Sequence, residues 1–245
     1  MNRHVFSVRP VRRLRTTVWT RLKQGLLMLY GLCVRIRVVG NSKMAFPLRR
    51  NFIVVANHLN GADSIVLQVA LRTRLFFAAS ARWFASNFSR FIMKNICDSI
   101  SVETGDAMRS LEGLRTCIHI LRSGASIGIY PEGRINTSNS PGELKEGAAY
   151  LAARTGTPIL PVYIRNLRLG HRVDDTTLQR ECWTGFLSVV ENLFNINVEV
   201  VLGDPVIPGT EPYTGDNLRQ DIARINGELR RSFLALRRPY RKAPA

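Results

Sequence analysis

No acidic residue precedes Asp63 and none follows position 228. The ends they leave are basic: residues 1–50 carry twelve Lys or Arg and residues 229–245 carry six, whereas 51–228 hold 17 basic and 18 acidic side chains. The formal charge of +17 therefore sits at the two ends of a nearly neutral body. Charge kept only for solubility would be spread out, so this asymmetry points to an anionic surface or partner. Zinc-finger, RNA-recognition and leucine-zipper patterns are missing, so nucleic acid is not the expected partner. Cysteine is scarce and scattered: Cys33, Cys97, Cys117 and Cys182 form no C-x-x-C and no paired spacing for a metal. The expectation is four reduced, mostly buried thiols in a reducing compartment. Long apolar runs are also lacking. The most apolar stretch, 25–34, falls short of the ~20 residues that span a bilayer. There is no internal repeat and no low-complexity linker, and 245 residues suit one domain with a real core.

What is present begins with a helical pattern. Leu14, Val18, Leu22, Leu26, Leu29 and Cys33 recur at steps of three and four, with Trp19 and Tyr30 beside them and Arg13, Thr16, Thr20, Lys23 and Gln24 largely off the stripe. This is an amphipathic helix, breakable at Gly25 or Gly31. Its basic flanks and Trp suit a helix lying among lipid headgroups. A helix that simply packs on the domain has the same pattern. A secretory or organelle-targeting leader is also conceivable, although no clear small-x-small cleavage site appears. The division expected is 1–35 as a basic, membrane-associating segment and 36–245 as one further domain.

From there strands and helices alternate. Strands are expected at 36–39, 52–56, 75–79, 99–102, 126–130, 158–164 and 197–202. Helices are expected at 63–71, 82–96, 106–122 with Asp106 as cap, 143–154, near 185–194, and 216–236. Residues 166–196 read least clearly. The alternation predicts an α/β fold: a single domain with a mixed, largely parallel sheet flanked by helices, plus the N-terminal segment.

Two stretches carry chemistry. Strand 52–56 runs into Asn57-His58-Leu59-Asn60-Gly61-Ala62-Asp63. A histidine at the end of a strand stands where α/β folds place functional groups. An Asp five residues on cannot share a helix face with it. With His58 in the loop and Asp63 in the first helical turn, the chain can fold back to bring carboxylate to imidazole, Gly61 easing the bend. The Asp would then hold the tautomer and leave the other ring nitrogen as general base. The second stretch, Tyr130-Pro131-Glu132-Gly133-Arg134, follows strand 126–130, where Pro and Gly make a turn that exposes Glu132 and Arg134. Taken singly, each is also what a helix-capping Asp or a solvated turn would give.

In order and spacing these stretches resemble the glycerolipid acyltransferase family, the phospholipid and lysophospholipid acyltransferases, over roughly residues 30–205. The family's N-H-x-x-x-x-D reads here Asn57-His58 with Asp63. Its Phe-Pro-Glu-Gly-Thr-Arg block reads Tyr130-Pro131-Glu132-Gly133-Arg134-Ile135. Its Lys-x-Gly-Ala stretch reads Lys145-Glu146-Gly147-Ala148, and its Thr-Gly-x-Pro strand reads Thr155-Gly156-Thr157-Pro158-Ile159-Leu160-Pro161-Val162. The resemblance implies His58 as base, Asp63 as its orienting partner, and direct attack by an acceptor hydroxyl on an acyl thioester. Backbone N–H groups near the motif would stabilise the oxyanion. It implies substrate contacts by Asn57, Glu132, Gly133, Arg134, Pro158 and Pro161.

The partners implied are an anionic membrane surface, a lysophospholipid such as 1-acylglycerol-3-phosphate, and acyl-CoA or acyl-carrier protein as co-substrate. No other cofactor, no nucleic acid and no metal are expected, since one His beside one Asp lacks the ligands. The protein would be peripheral, on the cytoplasmic face. Two departures bear on the acceptor. The family's Thr-Arg is replaced by Arg134-Ile135, and the block at 98–104, which usually ends in Arg, here offers Glu103 and Thr104. These leave open an acceptor that is not a phosphoglyceride, or a catalytically silent lipid-binding member.

Overall fold

The computed structural model describes residues 16–40, 50–102, 107–136, 142–168, 178–209 and 215–237. The expected cap Asp106, the pair Glu103 and Thr104, and Leu14 lie outside them. Seven strands form one sheet: β1 (Ile36–Gly40), β2 (Ile53–Ala56), β3 (Leu75–Ser80), β4 (Ser99–Val102), β5 (Ser126–Ile129), β6 (Ile159–Arg165) and β7 (Val198–Leu202). Their order is β1-β7-β6-β2-β5-β3-β4. Every neighbouring pair is parallel except β6 with β7. The central strands β2, β5 and β6 thus end at one edge, and the loops leaving β2 and β5 emerge side by side. All four residues of β2 are buried. A strand apolar on both faces needs helices on both.

Helices α1 (Thr16–Cys33) and α2 (Asp63–Leu71) cover one face, with Tyr30, Val34, Val66, Leu67 and Leu71 in its core. On the other face α4 (Ala107–Arg122), α5 (Gly147–Thr155) and α7 (Gly215–Arg237) pack through Cys117, Leu121, Leu151, Ile225, Leu229 and Phe233. Two further helices, α3 (Asn87–Phe91) and α6 (Leu178–Glu191), touch each other, and α6 lies against α1 through the Tyr30 hydroxyl, which donates to Val189 O at 3.4 Å. Lys23 of α1 and Arg74 both pair with buried Asp98, pinning α1 beside the start of β4.

Several expectations change for local reasons. The helix expected at 82–96 is divided. A single 3₁₀ turn, Ala81–Phe84, gives way to α3, whose start is capped by the Ser86 hydroxyl accepting from Ser89 N, and a π-helical turn follows at Ile92–Ile96. The helix expected at 143 begins only at Gly147. The residues before it are tied to the β5 turn instead, where Lys145 N donates to Pro131 O at 3.0 Å and Gly142 N to Glu132 at 3.1 Å. Among the described thiols only Cys117 is buried, and burial pushes it up to about 11; Cys33 and Cys97 are half-buried. No described helix is long and apolar enough to cross a membrane.

The stripe foreseen on α1 is turned outward. Leu22, Leu26 and Leu29 are all more than half exposed, and the helix packs through Tyr30 and Lys23, with Val34 just past its end.

Candidate active site

His58 leaves the C-terminal end of β2, and Asp63 opens α2. Between them the chain folds tightly back on itself. Asn60 Oδ1 accepts from Ala62 N at 2.8 Å, an Asx turn that reverses direction in three residues. Asp63 is fully buried. Its Oδ2 accepts three hydrogen bonds, from Leu59 N at 2.6 Å, Asn60 N at 3.0 Å and His58 Nδ1 at 2.7 Å. An ionised carboxylate can only accept, so Nδ1 carries the proton and Nε2 is left as a base. The imidazole is 23 % exposed, enough for a substrate to reach it.

Gly61 has a different purpose from the bend expected of it. A Cβ there would lie 2.5 Å from the Gly185 Cα of α6, so the histidine loop touches α6 backbone to backbone. Asn60 extends the same contact, its Nδ2 donating to Arg168 O at 2.7 Å.

The β5 turn supplies the floor. The Tyr130 ring stacks on His58 with centroids 4.1 Å apart and an interplanar angle of 11°. Phe77 of β3 is stacked with Tyr130 in turn, at 5.8 Å. This column restricts the imidazole to rotation in its own plane, which keeps Nδ1 on Asp63. The Tyr130 hydroxyl donates to Ser64 Oγ at 3.4 Å. Burial, and then the charge of Asp63, hold this phenol above its ordinary range, so it stays neutral. Asn136 N donates to His58 O at 2.8 Å and ties the two loops together.

The other residues singled out by sequence divide by location. Glu132 is buried, and its Oε2 accepts from Asn136 Nδ2 and Gly142 N; it braces the turn from within. Gly133 takes φ +65°, and the Lys145 side chain lies over it, so a Cβ there would meet Nζ at 2.7 Å. Arg134 is exposed on this turn and has no ion-pair partner among the described residues. Asn57 spends both ends of its amide on Ile164, accepting from N at 2.7 Å and donating to O at 3.0 Å, which joins β2 to β6 inside the protein.

Pro161 is buried within β6 opposite Val55. Pro158 stands elsewhere: its carbonyl accepts from Ile53 N at the start of β2. The histidine is five residues further along, roughly 16 Å at the rise of a strand. The site wall expected of Pro158 is thus at the opposite end of the sheet from His58. Of the N–H groups beside the histidine, those of Leu59, Asn60 and Ala62 are turned inward, away from any oxyanion.

Sequence reasoning did not pick out Tyr130 or Asn136 as site residues. The first lay within the quoted block, so its place after β5 was the available signal. For Asn136 there was none, because its strap to His58 exists only once β2 and β5 are paired.

The acyltransferase family model matches residues 35–165. A 1-acyl-sn-glycerol-3-phosphate acyltransferase of Borreliella burgdorferi is 27 % identical over 134 residues, which is 54 % of this chain and 52 % of that one. A probable enzyme of the same name from Mycoplasma pneumoniae is 25 % identical over 187 residues, 74 % of this chain and 65 % of that one. The chain thus spans about half to two thirds of the length of these relatives. The crystal structure of the 1-acyl-sn-glycerophosphate acyltransferase PlsC from Thermotoga maritima superposes with a TM-score of 0.60 at 21 % identity, over 95 % of this chain and 86 % of that one, a likeness of fold. The matched segment, from the start of β1 to the end of β6, takes in both loops that meet at His58 and just over half of the sequence, and on that match this chain belongs to the acyltransferase family.

Proposed function

We propose that the protein is an O-acyltransferase that moves a fatty acyl group from acyl-CoA or acyl-carrier protein to the hydroxyl of a lysophospholipid such as 1-acylglycerol-3-phosphate. The observation that carries this is the buried, triply hydrogen-bonded Asp63 behind a solvent-reachable His58. His58 Nε2 takes the proton of the acceptor hydroxyl as its oxygen bonds to the thioester carbonyl carbon. The tetrahedral intermediate collapses with cleavage of the carbon–sulfur bond, and the departing thiolate takes that proton back from Nε2. Asp63 stabilises the imidazolium in between without accepting its proton. No protein nucleophile is involved, and no metal is required.

The outward apolar row of α1 and the basic, acid-free ends support a peripheral position on an anionic membrane. Cysteines without a pairing pattern suit the cytoplasmic face.

The test is turnover of an acyl thioester with a lysophosphatidate acceptor. His58→Ala should lose about 10²–10⁴-fold while its melting temperature holds, and Asp63→Asn should be nearly as damaging. Near-normal turnover by folded His58→Ala would reject the mechanism. Ile135, 54 % exposed where the family has Arg, favours a second reading in which the acceptor carries no phosphate. Arg134 follows Gly133 on the turn and the Lys145 side chain, from the segment before α5, lies over that glycine; we prefer the phosphate reading because this leaves two cations there. Arg134→Ala should then raise the Michaelis constant for lysophosphatidate far more than for the thioester. An unchanged acceptor constant would promote the second reading.

A further inference from the structure

Helix α6 carries apolar side chains on its outward side as well as toward the core. Toward the protein it presents Gly185, Ser188 and Val189, with Asn192 and Leu193 just past its end; Ser188 and Asn192 are 2 % and 0 % exposed, and Val189 and Leu193 pack on the core. These polar groups are satisfied internally. Ser188 Oγ donates to Thr184 O, and Asn192 donates to Arg168 O and Ser188 O while accepting from Arg168 N and Asn195 Nδ2. Toward solvent it presents Trp183, Phe186, Leu187 and Val190, at helical steps of three, one and three, and Phe194 continues the line. Trp183 and Phe194 are 62 % and 71 % exposed. A helix in water buries its apolar stripe, and a continuous exposed stripe of this size marks a contact surface.

What covers it is indicated by its neighbours. Helix α6 is joined to α1, which bears the other outward row, by the Tyr30–Val189 hydrogen bond. The helices sharing this side expose Arg21 on α1, Arg72 at the end of α2, Arg90 on α3 and Lys94 just after it. Across 16–40 and 63–96 the only acid is Asp63, which is buried against His58. Helix α6 adds Glu181 and Glu191 to Arg180, so charge is mixed on α6 and basic on the helices beside it; apolar rows with that basic margin complement an anionic lipid leaflet, with acyl chains below and phosphates around. A second copy of this chain would set those cations against one another.

We propose that α6 is a second membrane-docking element: its outward row enters the interfacial layer of an anionic leaflet beside α1, and its backbone contact with Gly61 holds the His58–Asp63 loop at the lipid surface. The docking stands apart from the catalytic reading. Only its consequence, delivery of a membrane-resident acceptor to His58, rests on that reading.

The experiment uses the full chain with vesicles of phosphatidylcholine containing phosphatidylglycerol. Combined Trp183→Ser, Phe186→Ser and Phe194→Ser should weaken vesicle partition about tenfold or more, with melting temperature and sedimentation coefficient unchanged. In a Trp19→Phe, Trp83→Phe background, brominated lipid should quench Trp183. If the triple variant does not fold, Phe194→Ser alone should still weaken partition measurably. Unchanged partition, or an unquenched Trp183, overturns the proposal. So does a wild-type dimer that the substitutions dissociate, since the stripe would then be a protein interface. Failure of the wild type to transfer acyl groups in detergent would count against the enzyme reading and leave the partition result untouched.

Discussion

On one side of the sheet, α7 buries Ile225, Leu229 and Phe233 and turns Arg219, Arg224, Arg230 and Arg231 to solvent. On the other, α6 buries Ser188, packs Val189 on the core and turns Trp183, Phe186 and Val190 outward. Both helices pack apolar side chains inward; only α6 also turns an apolar row to water. The α7 side behaves like the surface of a protein in water. Its acids are matched with its bases, as in Asp221 and Glu228 on Arg224. The α1–α6 side exposes two apolar rows, and the acid at its inner margin, Asp98, is occupied by Lys23 and Arg74. The two sides teach that stability and surface contact are divided here. The core that holds the sheet is complete behind both sets of helices, and the outward rows add nothing to it.

That division can be broken by substitution. The largest effect belongs to Phe233→Ala, which removes the largest fully buried side chain from the α7 side and should cost about 3–5 kcal/mol. Denaturant titration measures it, and vesicle partition of the folded fraction should not change. Next is Asp98→Ala. It leaves Lys23 and Arg74 without their shared carboxylate, but Arg74 is 42 % exposed and recovers water, so the loss should be about 2 kcal/mol rather than the full cost of opening a buried pair. Hydrogen exchange should quicken in α1 more than in α7. The smallest effect on stability is expected of Leu26→Ser with Leu29→Ser, within about 0.5 kcal/mol because both are already exposed. The same pair should weaken vesicle binding, while Leu234→Ser on the α7 side should leave it alone. A large stability loss from the α1 pair would show that its row is part of the core.

Much of the fold was legible along the chain. The strand 99–102 and the helix 63–71 have the bounds expected, because their ends are set by local residues. In α2 the left-handed Arg72, φ 48°, stops the helix and donates its N–H to Val69 O. Where a distant segment intervened, local pattern misled. The helical composition of 143–146 predicts an earlier start for α5, yet Pro131 and Glu132 of another loop take up N–H groups of 142–145 and keep that stretch out of the helix. Pro158 was placed at the site because it belongs to a block, whereas β6 must run nearly its full length before reaching the level of His58.

By itself the sequence determined the strands, the excess of cations at the ends and the fold-back of His58 onto Asp63. That fold-back spans five residues and is closed by the loop's own amides and the Asn60 side chain, so nothing distant is needed to form it. Only the tertiary structure decided which side of each amphipathic helix meets water, because a period of 3.6 residues names a stripe and not its direction. It alone put Tyr130 beneath the imidazole and Gly185 against Gly61. Those contacts join strands and helices far apart in the chain, and they exist only once pairing of β2 with β5 and packing of α6 have brought their backbones together.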